Sequence, residues 1–252
     1  MPFARLIDQF DERAGRCTSQ AELAALLGDA VRELDFDHFA LLHHASLRAG
    51  GAGLIRLDNY PSGWSLELVA SGFAPDDPVH LACGRTNIGF AWGQLGALVP
   101  LTSRHRQILA RSARHGLGEG FTVPANVPGE PGGSCSFAVR KGRRLPMRNL
   151  AGAELLGAHA FGAARRLRGY PARGARPHLS PRERQCLRLI AAGKSDWEIA
   201  RILGIAEATA RQYAKRARAA YDVVSRTQLV VYALRDAWIG FDEAIPPGRG
   251  MG

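Results

Sequence analysis

Apolar residues recur along this chain at two spacings, three-to-four and two, and the switches between them mark its elements. Phe3, Leu6, Ile7 and Phe10 share one face of a first helix. Ser19 and Glu22 form a capping box opening a second helix, with Leu23, Leu26, Leu27, Ala30, Val31 and Leu34 as its apolar positions. The spacing then tightens. Residues 38–47 and 54–57 read as strands around the turn Ala49-Gly50-Gly51-Ala52-Gly53. A helix is expected from about Pro61 and another over 103–115. Residues 121–123 and 134–140 read as strands parted by the Pro/Gly-rich stretch 127–133, and a helix from about Pro146 to Leu167 closes the region. Helices bracketing hairpin-connected strands predict an α+β fold, here an α/β/α sandwich around a central antiparallel sheet over residues 1–167.

The pattern changes after residue 167. Residues 168–178 are rich in Pro, Gly and Arg, lack apolar periodicity and read as a linker. Ser180-Pro181-Arg182-Glu183 then has the form of a helix start, a hydroxyl to take a free amide and a Glu to reach back. Ser195 and Glu198 repeat that box just after Gly193, and the helix they open stops at Gly204. Two short helices joined by a tight Gly turn are the sequence form of a helix-turn-helix. In the next helix Ala210, Ala214, Ala217 and Tyr221 share a packing face, while Arg211, Lys215 and Arg218 line another beside Gln212 and Arg216. Thr227, Val230, Val231, Leu234 and Trp238 give the last helix an apolar stripe, part expected to pack on its own domain and part to pair with a second subunit. Residues 179–240 are thus expected to form an all-α four-helix domain, with 241–252 a flexible tail.

Charge sharpens this division. The 252 residues carry a formal net charge of +10. Residues 1–167 contribute +3, the linker +3, residues 179–238 +5 and the remainder −1. Positive density therefore concentrates where a polyanion would be met. A solvated basic face is the bland alternative, and a membrane surface the competing polyanion, but the basic helix lacks the bulky apolar face that interfacial insertion needs. Cations along a helix instead suit a major groove, where Arg and Lys meet phosphates and guanine edges and Gln reads adenine. The four cysteines, Cys17, Cys83, Cys135 and Cys186, have no CxxC spacing and no His at ligand spacing. They read as reduced thiols without a metal, and the absence of a leader or apolar span points to the cytoplasm.

The C-terminal segment resembles the DNA-binding domain of LuxR-type regulators. Residues 179–183, Leu187, Gly193-Lys194-Ser195, Glu198-Ile199-Ala200, Leu203-Gly204-Ile205, Thr209 and Ser225-Arg226-Thr227-Gln228 fall where that family's pattern places them. Four positions depart from it: Ala206 replaces a capping Ser, Ala210 a Val, Tyr213 a His and Tyr221 a Leu. Loss of the cap should cost about 1 kcal/mol of local helix stability. Lys194, Thr209, Arg211, Gln212, Lys215, Arg216 and Arg218 are the candidate DNA contacts. Arg211, Gln212 and Lys215 are assigned to base edges, and Lys194, Arg216 and Arg218 to phosphates.

Within residues 1–167, Tyr60 and Trp64 are four apart and share a face if a helix begins there, a pairing that also suits an ordinary core. Asp77 before Pro78 starts a turn or helix. No hydrolase elbow, P-loop, metal motif or carboxylate dyad is present, which argues against an enzyme. Tyr60, Trp64, Asp77-Pro78, Trp92 and Gly120 nevertheless resemble, in identity and mutual spacing, the hallmark positions of the autoinducer-binding domain in LuxR-type quorum-sensing receptors. The resemblance implies that Trp64 donates its indole N–H to a lactone carbonyl, Asp77 accepts an acyl-amide N–H, and Tyr60 bonds the amide carbonyl. It makes Trp92 a wall for the lactone, Gly120 a point of close backbone packing, and Ser136 a contact to the head or a 3-substituent. Leu68 stands where receptors of acyl-homoserine lactones usually carry Tyr, so a longer, branched or aryl tail, or another small apolar ligand, remains open.

The implied function is a quorum-sensing transcription regulator with no cofactor besides its signal. Its expected partners are an acyl-homoserine lactone, an inverted-repeat promoter site, a second copy of the chain and, further off, RNA polymerase. A regulator of the same DNA-binding type that answers to another ligand or to a protein partner is the alternative.

Overall fold

A computed structural model describes residues 3–44, 54–169 and 176–245, and the chain divides into two compact units, Met1–Pro171 and Ala172–Gly252. The expected glycine turn at 49–53, the end of the first expected strand, most of the linker and the last tail residues lie outside the described residues.

The first unit runs α1 (Phe3–Arg16), α2 (Gln20–Glu33), β1 (His38–His43), β2 (Arg56–Asp58), α3 (Ser62–Ala70), α4 (Pro78–Cys83), β3 (Phe90–Ala91), α5 (Leu95–Leu98), α6 (Ser103–Arg114), β4 (Leu117–Ala125), β5 (Gly133–Arg140) and α7 (Leu150–Leu167). The strands form one five-stranded sheet in the order β2-β1-β5-β4-β3, with every neighbouring pair antiparallel. Because side chains alternate across a strand, each strand supplies two layers. Phe39 and Leu41 of β1, Phe121 and Val123 of β4, and Cys135, Phe137 and Val139 of β5 join α1, α2 and α7 in the main apolar core. Their alternates Ala40, Leu42, Ser136 and Ala138 face α3, α4 and α6, where smaller apolar clusters centre on Trp64 and on Val79. The sheet is covered on both faces, so this half is the α/β/α sandwich expected.

Details differ where the sequence signal is local and weak. The strand expected at 54–57 sits at β2, because pairing with β1 fixes its register as Leu41 opposite Leu57. Residues 121–123 are only the centre of the longer β4. Two-residue β3 and four-residue α5 carry too few residues to show a period. A 3-10 turn at Met147–Asn149 precedes α7.

In the second unit come α8 (Pro181–Ala191), α9 (Asp196–Leu203), α10 (Glu207–Ala220), α11 (Arg226–Arg235) and α12 (Phe241–Ala244). Both expected capping boxes form: Ser180 Oγ accepts from Glu183 N–H and Ser195 Oγ from Glu198 N–H. Ser225 and Gln228 build a third at α11. Gly204 ends α9 in the left-handed region (φ +65°), where an L side chain is strained, and turns the chain into α10. Ala210, Ala214, Ala217 and Tyr221 are buried as their spacing requires. The apolar stripe of the last helix divides: Val230, Leu234 and Trp238 pack beside the buried Leu229 and Ala233, whereas Val231 is exposed. One expectation needs correcting. The segment 241–252, expected to be a flexible tail, begins with α12, tied to α8 by an ion pair from Arg188 Nε to Glu243 Oε1 at 2.9 Å.

Candidate functional site

Between the sheet and the helices α3, α4 and α6 lies a cavity of about 80 Å³. One water needs ~10–15 Å³ on this measure, so the space admits several waters or a small organic group. Tyr60, Trp64, Leu68, Asp77, Trp92 and Ser136 all line it. Gly120 does not, but acts one step back. A Cβ there would overlap the Trp92 indole, so only glycine lets that ring lie flat against β4.

Each polar group is aimed by an identifiable device. Asp77 is the N-cap of α4: its Oδ1 accepts the Val79 N–H at 2.8 Å, which holds the carboxylate and leaves Oδ2 for other partners. Trp92 donates its indole N–H to Thr122 Oγ1 at 2.9 Å, and that oxygen lies 2.8 Å from Ser136 Oγ. Because its N–H is already used within the protein, Trp92 offers a wall rather than a donor. Burial, and then the nearby Asp77 charge, push the Tyr60 phenol far above its usual range, so it stays protonated and able to donate. Trp64 is buried, and its indole makes no hydrogen bond among the described residues. A free indole N–H, a phenol and a carboxylate oxygen thus share one largely apolar cavity, a combination that suits a small amphipathic ligand.

In the second unit, α10 presents Arg211, Gln212, Lys215 and Arg216 to solvent. Arg211 is steadied by Glu207 Oε1 at 2.7 Å and Asp196 Oδ2 at 3.7 Å. Thr209 and Lys194 are half-buried, Lys194 lying 3.5 Å from Glu198. Arg218 differs from the others. Its guanidinium donates to the Val224 carbonyl at 2.8 Å and its Nε is buried, so it is engaged in holding the turn after α10. The N-cap of α10, Ala206, makes no side-chain cap bond.

Residues 19–164 match the family model described as autoinducer binding domain, and residues 177–233 match that described as bacterial regulatory proteins, luxR family. The chain belongs to the LuxR family. It is an autoinducer-binding regulator with a helix-turn-helix DNA-binding domain. Similar relatives include an HTH-type transcriptional regulator of Sinorhizobium fredii, y4qH, 30% identical over 180 residues (70% of this chain, 54% of that protein). The match thus spans about half the length of y4qH. Transcriptional activator protein BjaR1 of Bradyrhizobium diazoefficiens is 27% identical over 189 residues (73% of this chain, 75% of that protein). Among solved structures, Escherichia coli SdiA has the same fold, with a TM-score of 0.63 at 24% identity over 94% of this chain and 99% of that one. SdiA in complex with octanoyl-rac-glycerol gives 0.60 at 24% identity, over 93% and 96% of the two chains.

For this LuxR-family chain, sequence reasoning found six residues of the cavity wall and missed others along it. Leu42, His44, Arg56, Asp58, His80 and Ser112 also line the cavity. The signal for some was available. Alternation along β1 places His44 on the same face as Ala40 and Leu42, and His80 lies one helical turn after Asp77. No helix among the described residues is long and apolar enough to cross a membrane.

Proposed function

We propose that this regulator binds an N-acyl-homoserine lactone in the cavity between sheet and helices and, so loaded, pairs with a second copy on an inverted-repeat promoter site. One observation carries the reading: an indole N–H with no protein partner and a carboxylate oxygen left over from helix capping line the same apolar space. The acyl-amide N–H goes to Asp77 Oδ2, the lactone carbonyl takes the Trp64 N–H, and the amide carbonyl takes the Tyr60 hydroxyl. Trp92, held flat by Gly120, walls the lactone. Ser136 meets the head or a 3-substituent, and Leu68 borders the tail.

Binding to the native state alone stabilises it by mass action, which favours the folded, pairing-competent chain. Arg211, Gln212 and Lys215 then read base edges, while Lys194 and Arg216 meet phosphates and Thr209 approaches the backbone. Arg218, assigned above to a phosphate, would need to leave Val224 to do so. Paired helix-turn-helix units reach half-sites about one helical turn apart. The protein then acts in the cytoplasm, without catalytic activity and with RNA polymerase as a later partner on the promoter.

The experiment is expression with and without a panel of acyl-homoserine lactones, mass spectrometry of what co-purifies, and a gel shift on inverted-repeat DNA. Retention of one lactone at one per chain, with tighter DNA binding, is the expected result. Equal solubility and DNA affinity in every arm would favour the protein-partner alternative. A second ligand class is favoured by Leu68, which supplies neither ring nor hydroxyl to the wall, and by the octanoyl-rac-glycerol bound to SdiA. On that reading a non-lactone amphiphile occupies the same cavity.

A further inference from the structure

Trp64 and Leu68 bring α3 to the cavity wall, and Ile108, Leu109 and Ser112 bring α6. Away from the cavity the two helices are joined by a carboxylate. Glu67, one turn after Trp64, accepts through Oε1 from Arg111 Nη1 and through Oε2 from His115 Nε2, both at 2.6 Å. Arg111 belongs to α6 and His115 is its C-cap, so the carboxylate spans one turn of that helix. The bond from His115, and then that from Arg111, hold the Glu67 carboxyl below its ordinary range. It is ionised at neutral pH, and an ionised carboxylate only accepts, so the hydrogen of the second bond is on Nε2. The imidazole fixed in this way meets α3 twice. A Cβ at Gly63 would come within 2.8 Å of the ring, so glycine lets it lie against the backbone beside Trp64. Its centroid is 6.0 Å from that of the Trp64 indole, with planes 42° apart, the spacing of a packed aromatic pair. The other neighbours of the indole, Phe73, Ile108, Leu117 and Ala138, are apolar, and apolar contact carries no direction. The Glu67–His115 bond does.

We propose that Glu67 is a positioning residue for the signal site: through the His115 ring it fixes the orientation in which the Trp64 indole presents its N–H to the cavity. Arg111 takes the second carboxylate oxygen and keeps the group from swinging away from the imidazole. Glu67, Arg111 and His115 do not line the cavity, so they act on a ligand only through Trp64. A donor already aimed in the free protein spares the ligand the cost of ordering it. The inference rests on the reading of Trp64 as a hydrogen-bond donor to the signal given above.

The test has two arms, both on the full chain. In the first, N-octanoyl-homoserine lactone is titrated calorimetrically into the unsubstituted protein, Glu67→Gln, Trp64→Phe and the double variant. Glu67→Gln keeps the size of the side chain but turns an amide N–H₂ toward one of the two donors. It should weaken binding by about threefold to tenfold, at most the worth of the bond the indole makes. In the Trp64→Phe background the same change should alter affinity by less than about twofold, because its route to the ligand is gone. A merely structural role would give equal losses in both backgrounds and would overturn the proposal, as would unchanged affinity in Glu67→Gln. In the second arm the indole resonance of Trp64 is read without ligand. It should move or broaden in Glu67→Gln while that of Trp197 stays, and an unmoved Trp64 signal would contradict the assignment. Thermal unfolding of each variant is read first; if Glu67→Gln does not fold, His115→Ala replaces it in both arms with the same expectations. If the lactone does not bind the unsubstituted protein, the lactone reading falls, and the second arm alone decides whether Glu67 sets the indole.

Discussion

The two faces of β5 are built to opposite ends. Cys135, Phe137 and Val139 point toward α7 into a continuous apolar core, whereas Ser134 and Ser136 point the other way toward side chains that carry hydroxyls, imidazoles and a carboxylate. The strand is buried along both faces from Gly133 to Val139, so solvent exposure does not distinguish them. Packing does. One face is filled, and the other surrounds a cavity whose polar groups are only partly satisfied by the protein. A strand can thus anchor a fold on one side and hold a ligand site on the other, because its two-residue period separates the tasks residue by residue.

The largest expected effect tests that separation directly. Phe137→Ala empties a fully buried position and should cost about 3–5 kcal/mol in chemical denaturation, because the core can only partly close over the void. Ser136→Ala, one residue along, should cost well under that and act instead on ligand affinity. Comparable losses of stability from both would erase the distinction between the faces. Asp77→Asn comes next. Its amide oxygen can still cap α4, but a neutral group replaces the charged acceptor, so signal affinity should fall by about ten- to a hundredfold with little change in unliganded stability. Titration calorimetry with denaturation of the free protein separates the two quantities.

A parallel contrast exists in the second unit, where α8, α9 and α11 carry capping boxes and α10 carries none. Ala206→Ser should stabilise α10 by about 1 kcal/mol, visible as slower amide exchange across 206–221 in the free protein. Uniform protection of that helix before the substitution would show that the missing cap does not matter. The smallest effect is electrostatic. Burial alone would raise the Asp37 pKa, but hydrogen bonds from Arg140 N–H, from its guanidinium and from Arg143 outweigh it and hold the carboxyl below its ordinary value. A depressed folded-state pKa means this contribution is fully present above the ordinary carboxylate range and is lost as pH falls through the folded-state value. Asp37→Asn should therefore narrow the stability difference between neutral and acid pH, read from midpoints of thermal unfolding at the two conditions.

Much of this was legible in the sequence because the signals are regular or chemically distinctive. Capping boxes at Ser180 and Ser195, the Ser19 cap (where Glu22 reaches back to the Thr18 N–H rather than that of Ser19), glycine at 204, and the helical periods of the alanine face in α10 each have a local physical cause that survives in isolation. Spacing alone favours an ordinary core for Tyr60 and Trp64. These two, with Asp77 and Trp92, could be picked out only by resemblance to the family's hallmark positions, and they do meet at one cavity. The histidines were not, because His44 and His80 lie 36 positions apart and become neighbours only when β1 and α4 are brought together by the sheet. Nor does spacing reveal that Arg218 bonds Val224 instead of standing free, since a half-buried guanidinium and an exposed one share the same helical position rules. Which part of the stripe packs on its own unit is hidden for a similar reason: Val230 is packed and Val231 exposed because of where the neighbouring α8 and α10 lie.

The most direct test of the account is the indole N–H of Trp64 in a proton–nitrogen spectrum of the full chain. Its resonance is assigned by its loss in Trp64→Phe, and the lactone that co-purifies with the protein is then added. A large downfield shift of this one signal at one equivalent, with the Trp197 indole of the DNA-binding unit unmoved, is the predicted result. Saturable binding of the same lactone that leaves the Trp64 resonance where it was would contradict the claim that this cavity holds the signal.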